Sequence, residues 1–425
     1  MSTRRQALRA GGLVAASLAG CLGSSPTASS GDGTTTDDHS TTIADTTTES
    51  RETSTDGATT DDSTTSDATD ALRWTVDTGG AIGHAPVVVG GTVYASSRAL
   101  HAVATDGTER WQFAADVPVQ SRALVRDAGV YVVTGSFQGS PAGEQFAAHA
   151  LDPDGAERWS DGGDGVGMVS VLDATSDAAY VGTHDDYLQQ TGESLYALDA
   201  GDGDQRWDAD IGDAEGGVVV GDTVVVGYRL GVAGFAVADG TARWRASARS
   251  LGGVVGDAVV VGGQSTVRAL GVADGTERWT FTPPEAPSAA SVADGTVYVG
   301  TRDGGLHAVD GESGEERWRA ASGGTAYAQP TVTADAVYVA GDGVRALDPD
   351  TGEERWRFDT GQAHARLAAS RSGVYVAAGE TLQALGTDGS ERWRYEAAGR
   401  LTRPVVDRTG VYVGDKSGTL AALSP

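Results

Sequence analysis

Asparagine is absent from all 425 residues, lysine occurs once, as Lys416, and cysteine once, as Cys21. A single cysteine excludes an internal disulfide. No Gly-rich phosphate loop follows a strand, and neither a GxSxG elbow nor an HExxH pair occurs, so the usual signatures of nucleotide binding, serine hydrolysis and zinc proteolysis are missing. The apolar run nearest the N-terminus, residues 13–19, falls far short of the roughly 20 residues that span a bilayer. Bases are scarce: 31 Lys and Arg face 59 Asp and Glu, a net charge of −28. Repulsion from phosphate argues against nucleic acid or an anionic membrane surface as a general partner. An acidic surface with arginine in place of lysine stays hydrated in molar salt, where the Debye length is about 3 Å. The composition therefore points to a salt-adapted, archaeal source. A GC-rich genome is the alternative and explains the lysine deficit less well.

What is present begins with "MSTRRQALRAGGLVAASLAGC". Paired Arg4 and Arg5, a short apolar run and a cysteine read as a signal peptide over residues 1–20 rather than a spanning helix. The twin arginine resembles a Tat signal, which exports folded proteins, and "LAGC" resembles a lipobox ending at Cys21. Acyl chains on Cys21 would anchor the chain to the outer leaflet without spanning the membrane. Residues 21–71 are dominated by Ser, Thr, Asp, Gly and Ala. With almost nothing apolar to bury, this segment is expected to be a disordered stalk, open to O-glycosylation.

From residue 72 to 425 the chain repeats. All nine tryptophans, Trp74, Trp111, Trp159, Trp207, Trp244, Trp279, Trp318, Trp356 and Trp393, share one register with spacings of 37, 48, 48, 37, 35, 39, 38 and 37. The stretch "APSAASVADGTVYVGTRDGGLHAVDGESGEERWRA" shows the internal grammar: four short apolar or alternating runs separated by Asp and Gly turns. Such a unit is a four-stranded antiparallel meander, and a period near 40 residues predicts a β-propeller. The "VYV" strand recurs nine times; large rings are uncommon, so eight or nine blades are expected. "LRWTVD" near the N-terminus is a lone fourth strand, and the C-terminal unit lacks one. Pairing them closes the ring and removes free edges.

"ALDPDTGEERW" (346–356), "AVDGESGEERW" (308–318) and "ALDAGDGDQRW" (197–207) resemble the tryptophan-docking motif of pyrroloquinoline quinone (PQQ) repeat propellers, a likeness covering essentially all of 72–425. The resemblance implies that the indole docks on the neighbouring blade and that the motif glycine makes room for it, so the nine tryptophans are structural. Quinoprotein dehydrogenases of this superfamily use a vicinal disulfide, a Ca²⁺ held partly by asparagine, and a catalytic aspartate. This chain departs from that set in having no asparagine and one cysteine. A second branch, the lipoprotein propeller of outer-membrane protein assembly, is closer in its lipid anchor and short blades. Without an outer membrane in an archaeal cell, only the idea of a surface scaffold carries over.

Function is sought where the repeat breaks. Two units are longer, through "SFQGSPAGEQF" (136–146) and "HDDYLQQTGES" (184–194); these loops are expected either to form a partner-binding lip carrying Phe137, Phe146, His184 and Tyr187, or to be neutral growth. Nine residues before the tyrosine of "VYV" stand Arg122, Arg366 and Arg403, with His84 one position further upstream in the first unit. Ring closure would bring these four to one side of the channel mouth, where guanidiniums suit carboxylate or phosphate. The alternative is that each pairs with a nearby aspartate. His101, His149 and His307 share a third-strand register and read as repeat-face residues, not metal ligands. "DAGDGD" (199–204) lacks the spacing of a calcium loop and reads as a turn.

The expectation is a monomeric, exported, lipid-anchored propeller acting as a non-catalytic binding or scaffolding module for a protein partner or small ligand, with no cofactor and no metal. The alternatives are a PQQ-dependent oxidoreductase and a small-anion or sugar binder at the channel mouth.

Overall fold

The computed structural model of the chain describes residues 66–67, 70–136, 145–164, 168–184, 195–321, 330–341, 343–362 and 364–425, and of Ser66, Asp67, Gln145, Gly163, Asp164, His184 and Glu215 the backbone alone. The signal peptide, Cys21 and the stalk as far as residue 65 lie outside the described residues. Among the described residues no helix is long and apolar enough to cross a membrane.

The described strands form nine four-stranded antiparallel blades of a propeller, one per tryptophan, and the short strand Ser66–Asp67 adds in parallel to the outer strand of the Trp393 blade. Blade 6 is representative: Pro287–Ala293, Thr296–Thr301, Gly305–Asp310 and Glu316–Ala321 run as a simple meander. Burial explains the sequence of each strand. "TVYVGT" is buried at every position, because a second strand lies between two neighbouring blades and has no wet face. In the outermost "ERWRAA" only the tryptophan and one alanine escape exposure. Ring closure follows the expected route: Leu72–Asp77 pairs antiparallel with Thr419–Leu423, which continues to Val411–Gly414 and Val405–Val406 to complete blade 9. The expectation of eight or nine blades resolves to nine among the described residues.

The core is divided into nine parcels, one between each pair of neighbouring blades. Between blades 1 and 2, Tyr94, Leu100 and Phe113 meet Val119, Val130 and Leu151; where the ring closes, Ile82, Val93 and Val103 of blade 1 meet Tyr412, Leu420 and Ala422 of blade 9. A blade therefore has two apolar faces and is stabilised only by its neighbours, which is why the repeats make a closed array.

One regularity was not anticipated. In each outer strand the register slips at the residue before the tryptophan, so that Ala346 faces Trp356 while Leu347 faces Glu354. The bulged residue is the motif arginine, and the slip turns its side chain along the blade edge. Arg317 reaches Thr296 Oγ1 at 2.8 Å and the Asp310 carboxylate at 2.5 Å, and Arg355 reaches Asp348 Oδ2 at 2.7 Å, fastening the outer strand to the turns beside it.

Candidate ligand site at the channel mouth

The acidic tryptophan motif has no chemistry left to offer. In "DPDTG" the Asp348 side chain accepts the amides of Asp350 at 2.9 Å and Thr351 at 3.0 Å. The Arg355 guanidinium, and then those amides, draw its carboxyl down to about 2. Each of eight tryptophans donates from Nε1 to a backbone carbonyl of the next blade's turn, from Trp74 to Thr105 at 3.0 Å round to Trp356 to Thr387 at 2.8 Å. Under each of these indoles sits a glycine at positive φ, such as Gly314 below Trp279 and Gly352 below Trp318. Trp393 is the ninth. The turn it would meet in blade 9 is where the two ends of the fold come together, and it packs instead with Ala71, Leu401 and Leu423.

The histidines in the third strands are also accounted for. His149 Nδ1 lies 2.8 Å from Glu157 Oε1 and His307 Nδ1 2.8 Å from Glu316 Oε1, with His101 and Glu109 at 3.1 Å. Arg268 and Arg345 make the same link to Glu277 and Glu354 in their blades. It is a cross-strand tie in which the third-strand residue varies and the motif glutamate answers. "DAGDGD" is a turn: Asp199 Oδ1 accepts the Gly201 amide at 2.8 Å and its backbone N–H bonds Asp204 O at 2.8 Å.

A meander puts the links between blades and the hairpins joining second to third strands at one end, and the tryptophan-docking turns at the other. The link 114–123 shows this, with Gly135 N bonding Pro118 O and Gln120 N bonding Val133 O at the end of a second strand. The docking face carries the Asp turns. The opposite face carries His84, Arg122, Arg403 and, at the start of its strand, Arg366; both long loops depart from it, after Ser136 and His184.

The four predicted residues come from blades 1, 2, 8 and 9, which closure makes consecutive. Their tethers cross between blades. The His84 ring donates from Nε2 to Gln120 O at 2.8 Å, and Arg122 donates to Pro86 O at 3.2 Å. Arg366 donates to Leu401 O at 3.2 Å, and Arg403 to Leu367 O and Thr331 Oγ1, both at 3.0 Å. Every acceptor is uncharged. Among the described residues none of the four forms an ion pair, so the alternative in which each pairs with an aspartate does not describe them.

Electrostatics ties His84, Arg122 and Arg403 together. Burial, then the hydrogen bond donated to Gln120 O in the opposite sense, then the charges of Lys416 and Arg122 leave the His84 imidazole below its ordinary value of 6.5. Burial and the charge of Arg403 depress Arg122, and burial depresses Arg403. His84 and Arg122 are nonetheless open to water. Arg122, both wetted and crowded by protein, lines a cleft. Lys416 is the residue that spacing alone did not identify: its Nζ lies 3.6 Å from where a Cβ on Gly83 would stand. Being the chain's only lysine was the available signal.

The proposed lip is only partly described. Phe137 and Tyr187 lie outside the described residues, and of His184 only the backbone is described, paired with Met168. Phe146 corrects the expectation. It is 2% exposed and packs with Tyr131, Val133 and Trp159, because strand pairing continues to Gln145 and turns its ring into the core between blades 2 and 3. A cleft of about 210 Å³ opens beside Arg122 between the innermost strands of blades 2 and 3, bounded by Ser121, Leu124, Ser170 and Leu172.

Comparison with known proteins agrees with this architecture. The family described as "Outer membrane protein assembly factor BamB" matches over residues 63–219, 263–372 and 340–425. The crystal structure of BamB from Moraxella catarrhalis is similar over 83% of this chain and 97% of its own, at 18% identity and a TM-score of 0.52. The computationally designed protein Ika8 is similar over 84% of this chain and 98% of its own, at 14% identity and a TM-score of 0.54. At such identities the likeness concerns the fold. No curated protein sequence matches the chain.

Proposed function

The chain belongs to the family described as outer membrane protein assembly factor BamB, and from that membership we propose that it is a non-catalytic binding and scaffolding propeller, exported and held at the outer face of the cell membrane by lipid on Cys21. The observation that carries this reading is the division between the two faces. On one, the Trp of eight repeats docks on the next blade and the motif Asp and Arg brace the turn and outer strand of their own. On the other lie the features that differ between blades, namely the two long loops and the cations. The partner is a protein engaged through that second face. Photocrosslinkers placed in living cells at position 187 of the second long loop are expected to capture one defined protein, and crosslinkers at Glu312 on the docking face are not. Capture from both positions alike would refute a specific face. Changing Cys21 to Ser is expected to release the chain into the medium.

The PQQ-dependent alternative has less support from donor chemistry. The site implied for quinoprotein dehydrogenases needs asparagine and a cysteine pair, and this chain offers neither. Arg122, Arg366, Arg403 and Lys416 are cations, which repel a divalent metal rather than ligate one. The residues do not fit that group. Incubating the chain with PQQ and Ca²⁺ in high salt is expected to give no saturable binding; saturable quinone binding coupled to dye reduction would overturn the scaffold reading.

A further inference from the structure

We propose that the arc of blades 8, 9, 1 and 2 at the channel mouth is a binding site for a small ligand carrying two or more oxyanionic groups, carboxylate or phosphate. This site is separate from the protein-partner reading and stands without it.

Four permanent cations, Arg366 of blade 8, Arg403 and Lys416 of blade 9, and Arg122 of blade 2, lie on one arc in a chain of net charge −28. Carboxylates outnumber bases almost two to one, yet none pairs with these cations among the described residues. The nearest acid in sequence is withdrawn from them: Asp415 is 1% exposed and its Oδ1 accepts from the Ser417 and Thr419 amides and from Ser417 Oγ. The motif arginines of the other face do find carboxylates, as Arg243 does with Asp222 at 2.6 Å and Arg317 with Asp310 at 2.5 Å. At the mouth, by contrast, these four cations have no carboxylate partner among the described residues.

Each guanidinium has five N–H donors in a planar fork. Arg122 and Arg366 each give one to a carbonyl and Arg403 gives two to uncharged acceptors. These tethers fix the side chains across blade boundaries and leave most donors without a protein acceptor among the described residues. Like charges held together in a crowded opening repel one another. Arginine does not deprotonate in proteins, so bound anion is the means of relief. Charge-assisted, bidentate contacts to carboxylate or phosphate are the strong contacts this geometry supports. Because the cations are spread over blades 8, 9 and 2 on either side of blade 1, one monovalent ion cannot meet them all, which selects a ligand with several anionic groups. The cleft beside Arg122, walled by Leu124 and Leu172 as well as Ser121 and Ser170, suits the uncharged remainder of such a molecule.

The test is calorimetric titration of the full chain at constant ionic strength in chloride, with citrate, inorganic phosphate and glycerol as probes. Saturable binding of citrate or phosphate and none of glycerol is expected; which anion binds more tightly tells carboxylate from phosphate recognition. The double variant Arg122→Gln/Arg403→Gln should weaken binding by about tenfold or more. Because both side chains also tie blades together, Lys416→Gln serves as a second variant that cannot disturb a blade contact of this kind, and it should weaken binding severalfold. Arg319→Gln, an exposed cation on the outer strand of blade 6, should change nothing. No saturable heat with either anion, or equal affinity in Lys416→Gln and the parent, would overturn the proposal.

Discussion

The Cβ that an alanine would place at Gly352 falls 2.4 Å from Cε3 of Trp318, and Gly352 itself holds φ at +73°. Trp318 belongs to blade 6 and Gly352 to the turn of blade 7, so the contact spans a blade boundary. At the same boundary Trp318 Nε1 donates to Pro349 O at 2.7 Å. The indole is therefore received by a turn shaped for it, and the glycine is required twice, by its conformation and by its lack of a side chain.

Two substitutions separate those requirements. Gly90→Ala meets the left-handed conformation alone, since φ is +58° and no atom lies within 4 Å of the added Cβ; it should cost about 1 to 2 kcal/mol. Gly352→Ala meets the same conformational cost and displaces an indole, adding about 1 to 3 kcal/mol. Thermal denaturation of both variants should place Gly352→Ala clearly lower, and equal melting points would mean the indole is not packed as described.

Much of this was legible because one motif is repeated. The spacing of nine tryptophans carried the blade count, and the lone strand around Trp74 carried the closure. Three features were hidden for physical reasons. The slip of register at Arg355 depends on pairing with Ala346 and Leu347, which no local pattern expresses. Phe146 looked like a loop residue because its run of small neighbours reads as a turn, whereas strand pairing continues past it. Lys416 joins His84 only through the meeting of blades 9 and 1, more than three hundred residues apart in sequence.

Acid should loosen the docking turns. The carboxyl of Asp348 lies near 2, held down first by Arg355, and that of Asp310 is lowered by the Ser313 amide and Arg317. A depressed acid contributes stability that is present above its unfolded value of 3.8 and lost as pH falls toward the folded one. Thermal stability should fall steadily between about pH 4 and pH 2. Asp348→Asn should flatten part of that decline, and a decline identical to the parent's would show that this turn does not contribute. Both carboxyls are partly open to water, so the effect of each alone is small.

His84 gives a second pH signature, of opposite chemical origin. Its folded value is below 6.5, so as pH falls from 6.5 the unfolded chain takes up a proton that the native chain resists, and stability declines through that window. The charges facing it are Lys416 and Arg122; Asp415, in the turn whose carbonyl accepts the Ile82 amide, keeps its carboxylate bonded within that turn. Lys416→Gln should raise the His84 value in a proton NMR titration without restoring it fully, because burial is the larger cause. A bound polyanion should raise it too. No movement in either case would separate His84 from the cationic arc.

Closure can be tested by where the chain is cut. Ala71 O accepts the Ser424 amide at 2.7 Å, and Leu72–Asp77 supplies the outer strand of blade 9 together with Trp74, which docks on blade 1. A chain beginning at residue 66 retains all of these contacts, together with the pairing of Ser66 and Asp67 to Trp393 and Arg394, and should melt as the full chain does. A chain beginning at residue 78 leaves Thr419–Leu423 as an open edge and Thr105 without its indole, so two blade boundaries are exposed at once. It should melt at a markedly lower temperature and aggregate through the unpaired edge. If the shorter chain melted as high and as cooperatively as the longer one, the ring would not depend on its terminal strand, and the contiguity of blades 8, 9, 1 and 2 on which the cationic arc rests would lose its support.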